Sequence, residues 1–129
     1  MTDLPAGVRT LFEGQNNGHV ATVLPDGAPH TVPVWVGVED GQVVFLTGPQ
    51  SRKARNLARD PRVAISVTDR ENPFWMAQVR GRARRLDGAA AWAIIDRMSH
   101  KYVGAPYPRT EERVIFVVDA EHVVEQNFG

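Results

Sequence analysis

Short runs of β-branched and aromatic residues, separated by turns of Gly, Pro, Asp and Asn, dominate this chain. Such runs are typical of strands, and Val32, Val34 and Val36 alternate with other residues as one face of a sheet requires. Tight turns are expected at Glu39-Asp40-Gly41, between the second and third runs, and at residues 119–121, between the last two runs. The pattern predicts seven strands, over residues 18–24, 29–38, 43–47, 63–68, 74–86, 114–118 and 122–126.

Apolar residues recur at helical spacing in residues 4–14 and 88–101, and Asp87 stands where it would cap the second of these helices. A basic crossover helix is expected within residues 51–62. Because closure removes exposed sheet edges, many strands with few short helices favour a barrel. We predict a mainly β (α+β) fold, in which residues 1–129 form one closed barrel of six or seven mostly antiparallel strands with two to three short helices. A barrel this small is filled by side chains, so its site should lie outside or at a subunit contact.

The basic helix is the most informative part of the chain. Ser51 occupies its expected N-cap, so its hydroxyl, the first backbone N–H groups and the side chains of Arg52 and Lys53 converge on one place. This combination suits an anionic group, and a phosphate best. The alternative is a solvated basic helix that ends at Pro61, because charged helix faces usually contact only water.

Composition narrows the choice of partners. The 15 basic and 15 acidic residues cancel, so the overall field gives no reason to expect nucleic acid or a membrane surface as a partner. The chain has no cysteine, which excludes disulfides and agrees with a reducing compartment. No signal peptide or membrane span is visible, and we expect a cytoplasmic protein. The four histidines are not spaced as metal ligands, and no metal is expected.

Several motifs follow one another along nearly the whole chain. They are Gly18-His19-Val20-Ala21-Thr22-Val23, Asp26-Gly27 with Pro29-His30, Pro33-Val34-Trp35, Ser51-Arg52-Lys53-Ala54-Arg55-Asn56-Leu57 with Asp60-Pro61-Arg62, Val79-Arg80-Gly81-Arg82-Ala83, and residues 101–108. In this order and spacing they resemble the pyridoxamine 5′-phosphate oxidase-like superfamily, the split β-barrel flavin-binding proteins. Residues 53–62 look most like the branch that uses the deazaflavin coenzyme F420.

The resemblance implies a homodimer with two cofactor sites at the subunit interface. The cofactor phosphate would be held by Lys53, with support from Arg52 and Ser51. The ring would lie against the second and third strands, whose backbone groups present fixed donors and acceptors to a flat heterocycle. It would be lined by three residues of the second strand, Pro33, Val34 and Trp35.

Five further residues are cofactor-binding candidates under the same resemblance: His30, Thr47, Arg55, Trp75 and Gln78. The first two lie on the strands that would border the cofactor. Arg55, with Arg59 or Arg62 as alternatives, would extend the basic groove along the phosphodiester and polyglutamate tail of coenzyme F420. Trp75 and Gln78 would reach the site of the partner subunit, although a strand tryptophan more often packs in a core or a dimer interface.

The activity implied by the resemblance is that of an F420-dependent oxidoreductase, in which the reduced coenzyme delivers a hydride to a small conjugated or planar organic acceptor. The cofactor carries the chemistry, so no catalytic side chain is identified. The enzymatic alternative is an FMN-dependent oxidase or reductase on the same fold. A protein that binds flavin, deazaflavin or haem without turnover, and a structural dimer without a ligand, also stay open.

Overall fold

The computed structural model describes residues 3–128. All neighbouring strands are antiparallel, and they close into a barrel in the order β1-β2-β3-β6-β5-β4. The mainly β, closed-barrel prediction is confirmed. Along the chain the elements are α1 (Ala6–Glu13), β1 (Asn17–Val23), β2 (Pro29–Glu39), β3 (Gln42–Thr47), α2 (Arg52–Arg59), β4 (Arg62–Thr68), β5 (Trp75–Leu86), α3 (Gly88–Val103) and β6 (Val114–Asn127).

Alternate residues of the strands fill the barrel interior. Val20, Val36, Phe45, Ile65 and Val79 are at most 1% exposed and belong to one hydrophobic cluster. Their neighbours along each strand face outward, because successive strand side chains point to opposite faces. The surfaces that remain for function are the outside of the barrel and its ends.

Two residues make the hairpin between β2 and β3. Glu39 pairs with Gln42, which leaves Asp40 and Gly41 as the turn, with φ angles of 50° and 76°. Positive φ at both positions is typical of a type I′ turn, whose twist matches that of the strands and which favours Asp-Gly. The predicted turn is confirmed, and it sets the register of β2 against β3.

The prediction of two strands near the C-terminus is wrong. Residues 114–127 form the single strand β6, which pairs with β5. Residues 119–121 form a β-bulge rather than a turn, because the pairing skips Glu121. The bulge is possible because Gly81 of β5 has no side chain and lets the β6 backbone approach closely.

Two helices complete the barrel core. Val8, Leu11 and Phe12 of α1 are fully buried in the barrel cluster. Ala54 and Leu57 of α2 join the same cluster. The start of α2 is thereby held against the barrel, where β3 leads into it.

α3 lies on the outside, where Ile95 and Met98 pack with Val44 in a second cluster. Asp87 precedes α3, but its side chain makes no cap. That expectation is wrong because the carboxylate pairs with the Arg85 guanidinium at 2.9 Å instead. None of the helices in the described part of the chain is long and apolar enough to cross a membrane.

Candidate functional site

β2 has an open edge next to the start of α2. β2 pairs with β1 over residues 29–35, whereas its pairing with β3 covers only residues 36–39. Beyond Phe45, β3 separates from β2 and leads through Thr47 into the loop before α2. On this side, residues 29–35 have no neighbouring strand in the described barrel. The backbone C=O and N–H groups that point away from β1 are therefore open to a ligand, although Pro29 and Pro33 have no N–H to offer. We call this opening the β2 gap.

The first turn of α2 follows β3 after a loop of residues 48–51. Ser51 is its N-cap, as predicted: the Ser51 Oγ accepts hydrogen bonds from the Ala54 N–H at 3.1 Å and from the Thr47 hydroxyl at 2.9 Å. Thr47 is 5% exposed, so it supports Ser51 from the barrel side. Because Oγ accepts both bonds, the Ser51 hydroxyl proton remains available to an anion.

Three basic side chains at the start of α2 have no acidic partner among residues 3–128. Within residues 3–128, the side chains of Arg52, Lys53 and Arg55 form no hydrogen bond or ion pair. Lys53 is partly buried, and this loss of water lowers the pKa of its ammonium group. A bound anion would reverse that effect, because an opposite charge favours the protonated form. We call Ser51, Arg52 and Lys53 the anion cradle.

The other arginines considered for an extended groove are already engaged. Arg59 donates to the carbonyl oxygen of Val23. Arg62 forms an ion pair with Asp60 at 2.7 Å, and its hydrogen bonds lower the pKa of that carboxyl group to about 2. Of the three candidates in the described chain, Arg55 alone keeps an unpaired guanidinium.

The three residues of β2 predicted to line the ring face different ways. Val34 is 8% exposed and belongs to the core, so only its backbone is open to a ligand. Pro33 and Trp35 face outward. The Trp35 indole stacks on Tyr102 of α3, with ring centroids 4.9 Å apart and planes 8° apart, and Tyr107 packs against it edge-on. Trp35 therefore forms an aromatic wall together with α3.

Lys101 and Tyr102 attach α3 to β2. The Tyr102 hydroxyl accepts a hydrogen bond from the Val36 N–H at 3.1 Å and donates to the Asn16 carbonyl. Lys101 donates to the carbonyl oxygens of Phe12 and Val36. Burial lowers the pKa of Lys101 to about 8 and raises the pKa of Tyr102. These bonds hold β2 in place where its pairing with β1 ends.

His30 lies beside Thr22, the β1 residue that α2 contacts. It pairs with Thr22 of β1, so the two side chains share one face, opposite to that of Pro33 and Trp35. Thr22 is 2% exposed and accepts a hydrogen bond from the Asn56 amide of α2 at 3.0 Å. The structure therefore places His30 on the inner face of β2, beside the contact between Thr22 and α2, rather than on the outward face of β2.

Trp75 and Gln78 lie on β5, which β4 and β1 separate from β2. The Trp75 Nε1 donates to Glu125 at 2.9 Å, and the indole packs against the barrel cluster. Gln78 faces outward and lines a shallow cavity of about 120 Å³ together with His19 and Ser66. One chain alone does not bring these residues to the cradle. That they reach the site of a partner subunit stays a prediction.

A larger cavity, of about 370 Å³, lies between β1, β4 and β5. It adjoins the end of α2, because Val23 lines it and accepts the hydrogen bond from Arg59. Arg62, Arg80 and His122 also line it. Sequence reasoning gave Arg80 and His122 no role, since their meeting depends on the pairing of distant strands. Residues 3–128 contain no group of three or more His, Asp or Glu side chains that could hold a metal ion.

The closed six-stranded barrel with an open strand edge defines a split β-barrel of the flavin-binding type. A family model described as pyridoxamine 5′-phosphate oxidase matches residues 4–127. The chain belongs to this family, as its motifs predicted.

Solved structures and curated proteins agree with this assignment. An F420 reductase superposes with a TM-score of 0.80 and 31% identity, covering 94% of this chain and 98% of that one. A conserved hypothetical protein from Mycobacterium tuberculosis superposes with a TM-score of 0.82 and 25% identity, covering 98% of this chain and 86% of that one. The pyridoxine/pyridoxamine 5′-phosphate oxidase of Chromobacterium violaceum is 33% identical over 69% of this chain and 38% of its own. A 5a,11a-dehydrotetracycline/5a,11a-dehydrooxytetracycline reductase of Streptomyces rimosus is 39% identical over 46% of this chain and 45% of its own length. The chain thus matches less than half the length of these curated relatives.

Proposed function

We propose that this chain is a coenzyme F420-dependent reductase that transfers a hydride from the reduced coenzyme to a small conjugated or planar organic acceptor. The observation that carries the proposal is the anion cradle, whose Arg52 and Lys53 have no partner within the described chain and stand at the start of α2. The F420 reductase that matches nearly the whole chain, and the reductase of Streptomyces rimosus, support it.

The cradle has the chemistry that a phosphodiester requires. The Ser51 hydroxyl, the N–H groups of the first helical turn and two cations supply hydrogen-bond donors and positive charge together. The partly desolvated ammonium of Lys53 gains more from an anion than a fully hydrated lysine would, because less water screens the interaction. Beside it, the open backbone groups of β2 suit the polar edge of a flat ring.

A basic surface continues past the cradle toward the other end of α2. Arg55 lies on the helix, and the cavity lined by Arg62, Arg80 and His122 adjoins its end. An eight-residue helix is about 12 Å long. A phosphate at one end and tail carboxylates at the other suit coenzyme F420 better than FMN, which ends at its phosphate.

In this proposal, the protein's own residues bind and orient the cofactor. The reduced deazaflavin, when bound, supplies the hydride, and water supplies the proton that the acceptor also gains. The cradle fixes the phosphate, the β2 backbone fixes the ring, and the wall of Trp35 and Tyr102 excludes water from one side.

FMN is the second candidate cofactor, for an oxidase or reductase. The family model and the Chromobacterium violaceum relative, both described as pyridoxamine phosphate oxidases, favour it. FMN would use the same cradle but would leave Arg55 and Arg80 without a ligand.

Coenzyme F420 and FMN can be distinguished by titrating the purified apo-protein with each cofactor and following cofactor fluorescence. We expect tighter binding of coenzyme F420, and we expect its affinity to fall as salt is raised, because exposed charge contacts are screened within about 8–10 Å at physiological ionic strength. Tight, salt-insensitive FMN binding without F420 binding would reverse the ranking. Binding without turnover on any acceptor would favour a carrier protein.

We also propose a homodimer whose interface includes the outer faces of β1 and β4. These faces carry small side chains, Ala21, Ala64 and Ser66, which let a second copy approach closely. Gln78 on the neighbouring strand would then face the partner.

Light scattering is expected to give twice the 14.3 kDa of one chain. Ala64→Arg should shift the protein toward monomer, because it places a large unpaired charge in the interface. Ala90→Arg, at an exposed position on α3, is the matched control and should leave the dimer intact. A monomeric parent protein that binds cofactor fully would contradict the shared site.

A further inference from the structure

Asn56 carries an unsatisfied polar atom at the centre of the interface between α2 and the barrel. The residue is fully buried, and its Nδ2 donates to the Thr22 Oγ1 at 3.0 Å. The Oδ1 atom is buried and has no hydrogen-bond partner in the part of the chain that the structure describes. Buried amide oxygens without a partner are rare in folded proteins and costly, so this atom requires an explanation.

His30 presents a second such atom at the same place. Its Nδ1 is also buried and has no hydrogen-bond partner among the described residues. Because His30 stands directly opposite Thr22 in the β1–β2 ladder, their Cβ atoms are about 4.5–5.5 Å apart on one face. Asn56 contacts the same threonine. The two unsatisfied atoms therefore flank one side chain.

Rotating the amide does not remove the problem. If the oxygen and nitrogen of Asn56 exchange places, the amide nitrogen becomes the unsatisfied atom instead. A water molecule would satisfy the polar atoms in both orientations of the amide, because water can donate and accept hydrogen bonds. Buried waters typically bond to two to four otherwise unsatisfied polar groups.

We propose that one buried water binds between the Asn56 amide and the His30 imidazole and ties the cradle helix to β2. Asn56 and His30 are then positioning residues, which act on a bound anion only through the placement of α2. The water itself follows from the barrel alone, whereas its effect on cofactor affinity rests on the proposed function.

A high-resolution crystal structure of the whole protein tests the water directly. We expect an ordered water within about 3.2 Å of both the Asn56 amide and His30 Nδ1. A direct hydrogen bond between the two side chains, or a dry contact, would overturn the proposal, whatever cofactor the protein binds.

Substitutions at His30 test its positioning role. His30→Phe removes the nitrogen but keeps a ring, and should lower the melting temperature and weaken F420 or FMN binding about three- to tenfold. His30→Asn restores a polar atom near the position of Nδ1 and should recover most of both losses. His100→Phe, at an exposed position on α3, should change neither.

The outcomes distinguish the two proposals. If no variant or parent protein binds either cofactor, the proposed function fails, while the order of melting temperatures still tests the water. Equal melting temperatures and affinities for parent, His30→Phe and His30→Asn would overturn the water bridge and leave the proposed function standing.

Discussion

Lys53→Ala is expected to weaken cofactor binding by about one to two orders of magnitude. The substitution removes one charge-assisted contact to the phosphate, worth roughly 1.5–3 kcal/mol. The fold should not suffer, because Lys53 has no partner within residues 3–128 and its charged form is already disfavoured by burial. The melting temperature should stay the same or rise slightly, since a partly buried charge is lost. Dissociation constants at one fixed ionic strength, with melting curves in parallel, measure both effects.

Arg84→Ala is the control for general surface charge. Arg84 lies on β5 and donates to the Gln42 side chain at 3.4 Å, away from the cradle. The Arg84→Ala substitution should weaken cofactor affinity by less than about twofold, because it removes an equal charge that makes no phosphate contact. Similar small losses for both variants would mean that the start of α2 is only a solvated basic surface. The cradle assignment would then be dropped.

The features that the sequence predicted correctly depend on a few adjacent residues. Asp40-Gly41 specifies its two-residue turn because few other pairs adopt positive φ at both positions. Ser51 specifies the start of α2 because its hydroxyl reaches the Ala54 N–H within the same turn. Local chemistry of this kind does not require knowledge of strand pairing.

The features that the sequence missed depend on contacts between distant segments. Alternation along β2 shows that Val34 and Trp35 face opposite sides, but only the pairing with β1 and β3 decides that Val34 is inside. The same alternation turns His30 toward the barrel interior, beside Thr22. The site candidates predicted on β2 therefore lie on two opposite faces of that strand in the closed barrel.

The β2 gap was also beyond a reading of the sequence. Its existence depends on the pairing of β2 with β3 beginning at Val36, although β2 itself starts at Pro29. The cavity beside α2 depends in the same way on the pairing of β4 with β5, because β5 supplies Arg80. These registers are set by the whole hydrophobic pattern and not by any local motif.

Gly81→Ala is expected to destabilise the protein by about 3 kcal/mol or more, which for a domain of this size lowers the melting temperature by about 10 °C. A Cβ atom at this position would collide with the carbonyl oxygen of Asp119 and lie 2.9 Å from its carbonyl carbon. Both atoms are backbone of the β6 bulge, which has no rotamer by which to move aside. The new methyl group must therefore break the pairing of β5 with β6 or distort the bulge. Thermal and denaturant unfolding of the cofactor-free protein measure the loss.

Gly37→Ala is the matched control for a glycine within a strand. A Cβ atom there would lie 3.6 Å from the Met98 Cε and 3.6 Å from the Val44 Cγ2, which is ordinary contact. Its stability should change by less than about 1 kcal/mol, because the methyl group fills space against side chains rather than meeting backbone. If Gly81→Ala were as stable as Gly37→Ala, residues 119–121 would not approach β5 as closely as the bulge requires. The turn first expected at that place would then have to be reconsidered.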